Sequence, residues 1–354
     1  MNIRRMFFGG NTADGFHSFH EYVIGPNRKR FYILKGMPGG GKSSLMKKIG
    51  IYFKDKGYGV EFHHCPSDPE SIDSILIEEL GVAIADGTAP HVMDPIYPGL
   101  KDRIIDLAQY IDSDKLNKDE DRIIKAKEEN KKAYTRAFSY LRAARNIYDL
   151  IVKNNSKGVD FEGLNKRTLS LVEEIFSVEA KEYKSSPFQE RHGFSTANTP
   201  AGFVDYTDTL LEGIGRIYYM DSDIGTGKST LIKRILYECQ MRDYNVEVYH
   251  NSTFPEKIET LIIKDLNTCI TSNVKGRDFP HILIDLRKYF DEKVKNTADY
   301  DMYYLLMKKA YESLAEAKKN HAILEKIYVP TVDYSKIDEV REKILEEIVE
   351  LANS

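Results

Sequence analysis

The chain has 354 residues, a length that suits two ordinary domains better than one. Its 51 Lys and Arg are outnumbered by 55 Asp and Glu, and the net charge of −4 lacks the basic excess typical of dedicated nucleic-acid binders. The 3 cysteines show no C-x-x-C spacing, which argues against a zinc site and fits a reducing cytosol. With no apolar stretch of membrane-spanning length and no signal-peptide core at the N-terminus, we expect a cytoplasmic protein.

A short motif, Asn-Thr followed by Gly-Phe, precedes the first predicted strand and returns in the second half of the chain. The two copies consist of Asn11, Thr12, Gly15 and Phe16, and of Asn198, Thr199, Gly202 and Phe203. Three interpretations stay open at this point: part of a nucleotide-base pocket, part of the join between two copies, or a simple packed turn.

The next element is a strand, FYILKG, that ends in a complete phosphate-binding loop, or Walker A motif. The loop reads GMPGGGKS, and a helix is predicted to follow at about 42–56. Glycines let backbone N–H groups converge on one phosphate, Lys42 reaches the β- and γ-phosphates, and Ser43 offers a hydroxyl to Mg²⁺. With no guanine-reading N-K-x-D motif in the chain, we predict an ATP site formed by Gly36, Pro38, Gly39, Gly40, Gly41, Lys42, Ser43 and Ser44.

After this helix the pattern indicates a strand GVEFHH, a helix starting near Pro69 and an apolar strand GVAIAD. Asp86 ends the last strand, where a Walker B carboxylate would hold Mg²⁺ through water; a turn aspartate is the alternative. His64 could orient the γ-phosphate or a water, or else partner a local turn. We predict catalytic roles for Lys42, Asp86 and His64, and metal roles for Ser43 and Asp86.

Four more polar residues lie near these strand ends, and each has a structural and a functional interpretation. Glu61 and Glu247 lie inside short strands and are expected to face solvent. His91 and Asp94 follow Asp86; a plain loop is favoured over contact with a γ-phosphate or a second substrate.

The whole order of elements then occurs again. RFYILKGMPGGGKSSLMKKIG, from Arg30, aligns with RIYYMDSDIGTGKSTLIKRIL, from Arg216, and the offset of 186 residues holds without a gap through Leu80 and Leu266. The second copy accordingly predicts strand IYYMDS, a helix at about 228–242, strand NVEVYH, a further helix and strand NTCITS. A match of this length indicates a tandem duplication.

The second loop, DSDIGTGKST, departs from the phosphate-binding pattern. Ser222 replaces the opening glycine, Asp223 adds a negative charge, and Ser272 stands where the first copy has Asp86. We therefore predict a second site that binds nucleotide but hydrolyses it poorly. It would consist of Gly225, Thr226, Gly227, Lys228, Ser229 and Thr230, with Ser229 as a metal ligand.

Charged helical segments follow each α/β core, at about 100–179 and about 285–353, and the stretch AKEYKSSPFQERHGFSTANTPAG is the expected linker. Strands alternating with helices indicate α/β architecture with a parallel sheet covered on both faces. The predicted fold class is α/β: two tandem P-loop NTPase domains (parallel-sheet, three-layer α/β/α), 1–185 and 186–354, each followed by a helical segment.

The segments GMPGGGKSSLMKKIG, DGTAPHVMDPIYPG and DSDIGTGKSTLIKRI, together with the duplicated layout, resemble a bacterial group of tandem P-loop NTPases known as ATPases or nucleotide kinases of poorly defined role. The resemblance covers nearly the whole chain. It implies two P-loop folds and ATP binding at Lys42 and Ser43 and at Lys228 and Ser229. It does not imply a substrate.

The leading hypothesis is an ATPase, a hydrolase that uses ATP and Mg²⁺ and whose two halves form an intramolecular pseudo-dimer; a homo-oligomer is left open. A basic residue could act across the join, with Arg30, Arg216, Arg191 and Arg277 as candidates. A small-molecule or nucleotide kinase is the alternative, its lid carrying Arg136, Arg142 and Arg145. A third is a non-catalytic, nucleotide-gated scaffold whose helices bind a partner protein. No nucleic-acid or membrane partner is expected.

Overall fold

The computed structural model describes residues 3–177 and 189–353. The strands of the first half are β1 (Arg4–Met6), β2 (Gly9–Thr12), β3 (Gly15–Ser18), β4 (Arg30–Lys35), β5 (Val60–Cys65), β6 (Asp68–Ile77), β7 (Val82–Asp86) and β8 (Asp102–Asp106). Its helices are α1 (Lys42–Asp55), α2 (Ser113–Asn117), α3 (Glu120–Asn155) and α4 (Phe161–Phe176).

The second half has the same order of strands, with one short helix placed differently. Its strands are β9 (Glu190–Gly193), β10 (Thr196–Thr199), β11 (Gly202–Asp205), β12 (Arg216–Asp221), β13 (Val246–His250), β14 (Ile258–Ile263), β15 (Thr268–Thr271) and β16 (Ile282–Asp285). Its helices are α5 (Thr207–Leu211), α6 (Lys228–Met241), α7 (Thr297–Tyr328) and α8 (Tyr334–Asn353). None of the described helices combines the length and apolarity needed to cross a membrane.

Each half builds a six-stranded mixed sheet, in the orders β1-β5-β6-β7-β4-β8 and β9-β13-β14-β15-β12-β16. The α/β class is confirmed, but the predicted all-parallel sheet is wrong. β6 runs antiparallel to both of its neighbours, as does β14, while the remaining pairs are parallel. The strand β4 that carries the first loop lies between β7 and β8, with which it runs parallel.

β6 and β14 occupy the positions where helices were predicted after Pro69 and Pro255. The prolines suggested helix starts, but only two residues separate β5 from β6, too short a connection for a crossover to a parallel strand. β6 therefore folds back on β5, with Val60 opposite Ile77. Its Ile72, Ile75 and Ile77 are β-branched side chains that pack well on a sheet.

The charged helical segments form crossed arms, each lying on the opposite half. Helix α8, from the end of the chain, places Ile337, Ile344 and Ile348 in the core formed by α1 and the outer face of the first sheet. Helix α4 places Leu171 and Ile175 in the equivalent core beneath α6 in the second half. The hydroxyl of Tyr32 on β4 donates to Glu347 at 2.8 Å, and that of Tyr218 on β12 donates to Glu174 at 3.0 Å.

The inner faces of the two sheets contribute to one shared core. Ile33 and Ala85 of the first sheet and Ile217 and Ile262 of the second belong to the same buried cluster, with Phe194 between them. The expectation of three-layer α/β/α domains is therefore corrected: α1 and α8 cover the outer face of the first sheet, α6 and α4 cover that of the second, and each inner face is buried against the other half. The boundary predicted at 185/186 lies outside the described residues.

The repeated Asn-Thr motif lies at the join between the halves. It forms the hairpins β2–β3 and β10–β11, and the Nδ2 atom of Asn11 donates to the backbone carbonyl of Asn198 at 2.9 Å. Asn198 returns the same hydrogen bond to Asn11 at 3.0 Å. These reciprocal bonds relate the halves by an approximate two-fold axis. Part of the predicted linker, from residue 189, belongs to β9, β10 and β11, and the rest lies outside the described residues.

A buried square of two arginines and two glutamates lies on the same axis. Arg4 pairs with Glu61 at 2.5 Å and with Glu247, and Arg191 pairs with Glu61 at 2.7 Å and with Glu247 at 3.9 Å. The expectation that both glutamates face solvent is wrong, since they are 1% and 2% exposed. A strand face that would meet water in an isolated domain here meets the other half.

Candidate functional site

The first loop has the backbone that phosphate binding requires. Gly39 and Gly41 adopt φ values of 71° and 80°, a region that residues with a Cβ rarely enter. A Cβ on Gly40 would clash with the sulfur of Met37 and lie 3.0 Å from the Met37 carbonyl oxygen, so the Met37 side chain would have to move. The glycines of the motif are therefore needed for the turn itself, and Gly41 leads directly into helix α1.

Lys42, Asp86 and Ser43 are brought together at this loop. The Lys42 ammonium donates to the carbonyls of Gly36 at 3.0 Å and Met37 at 2.9 Å, and lies 3.5 Å from the Asp86 carboxylate. The hydroxyl oxygen of Ser43 accepts from the backbone N–H of Ile72 at 3.0 Å. One ammonium, one hydroxyl and one carboxylate thus converge at the start of α1, and oxygen donors of this kind suit Mg²⁺.

The remaining predicted contacts of the first site lie around these three. Pro38 is half-buried in the loop, and Ser44 is exposed in the first turn of α1. Asp86 ends β7, the strand beside β4, and its carboxylate also accepts from the N–H of Thr88 at 2.8 Å. It therefore both closes a local turn and faces Lys42.

The second loop reproduces this geometry despite its altered sequence. Gly225 and Gly227 adopt φ values of 76° and 97°, and Lys228 donates to the carbonyls of Ser222 at 3.0 Å and Asp223 at 2.9 Å. The Ser229 hydroxyl accepts from Ile258 at 3.0 Å, matching Ser43. Thr226 is buried inside the loop, and Thr230 is exposed in the first turn of α6.

The two substitutions in the second loop have structural partners. Ser222 keeps a φ outside the positive region, as Gly36 does, so the position tolerates a Cβ, and its hydroxyl bonds to that of Thr226. Asp223 forms an ion pair with Lys295 and accepts from Tyr300 at 2.7 Å. Burial opposes ionisation of Asp223, but the bonds from Lys295 and Tyr300 outweigh it and lower its pKa.

The crossed arms pack directly against both loops. A Cβ on Gly39 would lie 2.7 Å from Val329, just after α7, and one on Gly225 would lie 2.8 Å from Val152 in α3. The Tyr334 hydroxyl at the start of α8 donates to the carbonyl of Gly39 at 2.7 Å. On the second loop, Asn155 of α3 donates to the carbonyl of Ile224 at 2.8 Å. Each loop is thus held by the helical segment of the other half, a feature absent from the sequence-based predictions.

The structure places His64 in the local turn that was the alternative to a catalytic role. Its Nδ1 lies 2.7 Å from the carbonyl oxygen of Pro69, and its Nε2 lies 3.1 Å from the guanidinium of Arg5. Burial lowers the pKa of His64 to about 4, so the ring is neutral near pH 7. His250 makes the corresponding bond to Pro255. Both ring nitrogens of His64 are therefore engaged by protein groups.

Two carboxylates near the loops, one buried and one half-buried, were not identified from the sequence. Asp73 on β6 and Glu259 on β14 are paired by the 186-residue offset, and that pairing was the available signal. Burial, reinforced by Asp205, raises the pKa of Glu259 to about 7, while Lys228 opposes this. Ser272, the counterpart of Asp86, donates through its backbone N–H to the carbonyl of Glu259 at 2.9 Å. The second site thus has the carboxylate of Glu259 near its loop, but a serine instead of an aspartate at the Walker B position.

The arginines considered for a role across the join have structural contacts. Arg30 donates to the carbonyl of Leu100, Arg216 to that of Ile175, and Arg277 to Tyr219 and Asp221. Among the four candidates, Arg191 binds a carboxylate of the other half, that of Glu61. Its place in the buried square makes it part of the join.

The arginines considered for a kinase lid lie on α3, which pairs with α7. Arg136 pairs with Glu316 at 2.9 Å, and Arg145 pairs with Asp14 and Glu256 at 3.1 Å each. Arg142 is exposed. Two of the three are thus held in ion pairs on a long helix pair.

No family model, curated protein or solved structure matches this chain.

Proposed function

We propose that this protein is an ATPase with two tandem nucleotide sites, the first hydrolytic and the second mainly regulatory. The observation that carries the proposal is the shared geometry of the two loops. In both, left-handed glycines lead into a helix and a buried lysine is held by loop carbonyls. Both loops keep this arrangement although the second carries substitutions. Binding of phosphate at both loops would explain why the arrangement is the same.

At the first site, each group has a role that its chemistry suits. Loop N–H groups and the start of α1 would bind the phosphates, and Lys42 would exchange its carbonyl partners for the β- and γ-phosphate oxygens. Ser43 and Asp86 would hold Mg²⁺, which neutralises charge developing on the phosphates. The Lys42 ammonium lies 3.5 Å from the Asp86 carboxylate, so the cation and the carboxylate that the proposal uses are neighbours at the first loop.

The second site supports binding better than hydrolysis. Lys228 and Ser229 retain the positions of their counterparts, whereas Ser272 replaces the metal-binding carboxylate. Lys295 offsets the charge of Asp223, which removes the objection that this aspartate would repel phosphate. The arms give the second site a route to the first, because α3 contacts the second loop and continues into the pair with α7, which ends at the first loop.

The other two hypotheses receive less support. A kinase needs a mobile lid with cations free to meet an acceptor, while Arg136 and Arg145 are held in ion pairs. A non-catalytic scaffold would not need the first site to keep Asp86 beside Lys42.

The decisive experiment compares ATP binding and phosphate release for the intact chain, Lys42→Ala and Lys228→Ala. We expect Lys42→Ala to lower turnover by about 10²–10³-fold, the range for loss of one preorganised charge-stabilising group. Lys228→Ala should mainly weaken binding of the second nucleotide, with a smaller loss of turnover. Lys233→Ala, an exposed position in the same helix, is the control and should leave both quantities unchanged.

Each alternative has its own outcome in this assay. Equal and complete loss of turnover from Lys42→Ala and Lys228→Ala would contradict the proposed asymmetry. Phosphate transfer only after an acceptor is added would identify a kinase. ATP binding with no turnover in the intact chain would identify a nucleotide-gated scaffold.

A further inference from the structure

Three buried side chains with metal-binding chemistry meet next to the first loop. His20 follows hairpin β2–β3, Asp73 lies on β6, and His91 lies on the loop after β7. One ligand atom from each lies within 4.8 Å of the other two, and the residues are 5% or 6% exposed. The three positions are far apart in sequence, so no spacing motif could have indicated the group.

Each of the three residues carries a buried polar atom without a hydrogen-bond partner. These atoms are Nε2 of His20, Oδ2 of Asp73 and Nδ1 of His91. A buried polar group left unsatisfied costs roughly 1–3 kcal/mol, and three in one cluster is a large penalty unless a ligand offsets it. The orphaned atoms therefore point to a missing partner that accepts lone pairs, which is the property of a cation.

The surroundings orient these groups as outer partners orient metal ligands. The hydroxyl of Ser18 lies 2.8 Å from Nδ1 of His20, which leaves Nε2 of that ring free to bind. The thiol of Cys65 bonds to the Asp73 carboxylate. Nε2 of His91 lies 3.2 Å from Oδ2 of Asp73, so the ring and the carboxylate already lie close enough to share one ion.

The second half lacks the group at the equivalent place, and this provides an internal comparison. Thr207 occupies the position of His20, and Glu259 that of Asp73. Oε2 of Glu259 and the hydroxyl of Thr207 also lack hydrogen-bond partners, but among the described residues the metal-ligating side chains cluster only around His20 in the first half.

His281 matches His91 through the shared Pro-His pair, but it is exposed and its Nδ1 lies 2.8 Å from the carbonyl oxygen of Phe279. Of the two imidazoles, that of His20 is replaced in the second half and that of His91 is moved to the surface.

We propose that His20, Asp73 and His91 bind one divalent first-row transition ion, Zn²⁺ or Fe²⁺, with water completing the shell. Two imidazoles and a carboxylate suit these ions, whereas Mg²⁺ prefers oxygen ligands alone. The ion would join three elements of the first half: the segment after β3, strand β6 and the loop that starts at Asp86. The site is separate from the ATP-bound Mg²⁺ and does not depend on the proposed ATPase activity.

The test measures metal content and metal-dependent stability in the full chain. After EDTA treatment and dialysis, the protein is titrated with Zn²⁺, with Fe²⁺ under anaerobic conditions, and with Co²⁺ as a spectroscopic probe. We expect about one tightly bound ion per chain, a rise in melting temperature on adding Zn²⁺ or Fe²⁺, and Co²⁺ d–d bands reporting nitrogen and oxygen ligands. The ion that gives the larger rise in melting temperature is the preferred one.

His20→Thr converts the first half to the residue of the second, and Asp73→Asn provides a near-isosteric second variant. Both should lose at least tenfold in metal affinity and most of the metal-dependent rise in melting temperature, while their metal-free melting temperatures show that they fold. Glu259→Gln, at the matching place in the second half, should bind as the intact chain does. Unchanged binding in both first-half variants, or no binding of any of the three ions by the intact chain, would overturn the proposal.

Discussion

Single residues account for the asymmetry between two loops whose backbones match. Asp86 faces Lys42 in the first half, whereas Ser272 follows the corresponding strand in the second. In the second loop, Lys295 forms an ion pair with Asp223 and offsets its negative charge. These differences lie on one shared fold, so they change chemistry without changing architecture.

Glu247, in the buried square, gives a prediction for the pH dependence of stability. Burial raises its pKa, but the charge and hydrogen bonds of Arg4 outweigh this and lower the pKa to about 2. Its folded pKa lies below the unfolded value of about 4.3, so its contribution is complete above that value and is lost as pH falls towards about 2. Glu247→Gln should therefore flatten the loss of stability in this acid range.

At pH 7 the same variant should lower the free energy of unfolding by about 1–3 kcal/mol, because the guanidinium of Arg4, whose side chain is 25% exposed, loses one of its two carboxylate partners. Urea denaturation at pH 7 and at intervals down to pH 3 measures both effects. Glu128→Gln, an exposed change on α3, should stay within about 0.5 kcal/mol of the intact chain. Equal curves for the two variants would mean that the square is not formed in solution.

At the scale of elements, the contact between an arm and a loop can be tested at the loop glycines. Gly39→Ala puts a Cβ 2.7 Å from the Cγ2 atom of Val329, and Val329→Ala removes that atom. The double variant should recover about 1–2 kcal/mol beyond additivity, measured as the free energy of unfolding. If the effects of Gly39→Ala and Val329→Ala were simply additive, this would contradict the contact between the helical arm and the first loop.

The equivalent pair in the second loop, Gly225 and Val152, provides a matched double-mutant cycle. A Cβ on Gly225 would lie 2.8 Å from the backbone Cα of Val152, which Val152→Ala retains, so that pair should show almost no recovery. Gly213→Ala measures the cost of the positive φ alone, because Gly213 has a φ of 79° and no atom lies within 4 Å of the added Cβ. It should cost about 1–2 kcal/mol.

At the scale of the whole molecule, the crossed arms mean that a core change in one half destabilises the other. Ile344→Ala in α8 removes a buried side chain from the core around α1, and Leu171→Ala in α4 does the same for the core around α6. Each should cost about 2–5 kcal/mol. Hydrogen exchange should rise in α1 for the first variant and in α6 for the second.

A rise in α6 rather than α1 for Ile344→Ala, or in α1 rather than α6 for Leu171→Ala, would contradict the crossed arrangement. Met241→Ala, at the exposed end of α6, is the control and should leave exchange in both cores unchanged because its side chain is 80% exposed.

Some sequence predictions succeeded because they rest on contiguous residues. The strand before each loop, the glycines and the helix from Lys42 or Lys228 follow one another along the chain, so local propensity and spacing carry the information. Predictions that required knowledge of a distant neighbour failed. Alternation correctly marked Glu61 as a strand residue, but its burial depends on Arg191 of the other half.

By itself, the sequence determined that the chain contains two similar halves, each with a glycine-lysine loop between a strand and a helix, since both properties are repeated local patterns. Only the tertiary structure decided that β6 folds back on β5, that each helical arm crosses to the opposite loop, and that His20, Asp73 and His91 meet in one buried cluster. The physical reason is the same in each case. These features are stabilised by contacts between residues far apart in the chain, and hydrophobic period or motif spacing does not encode such contacts.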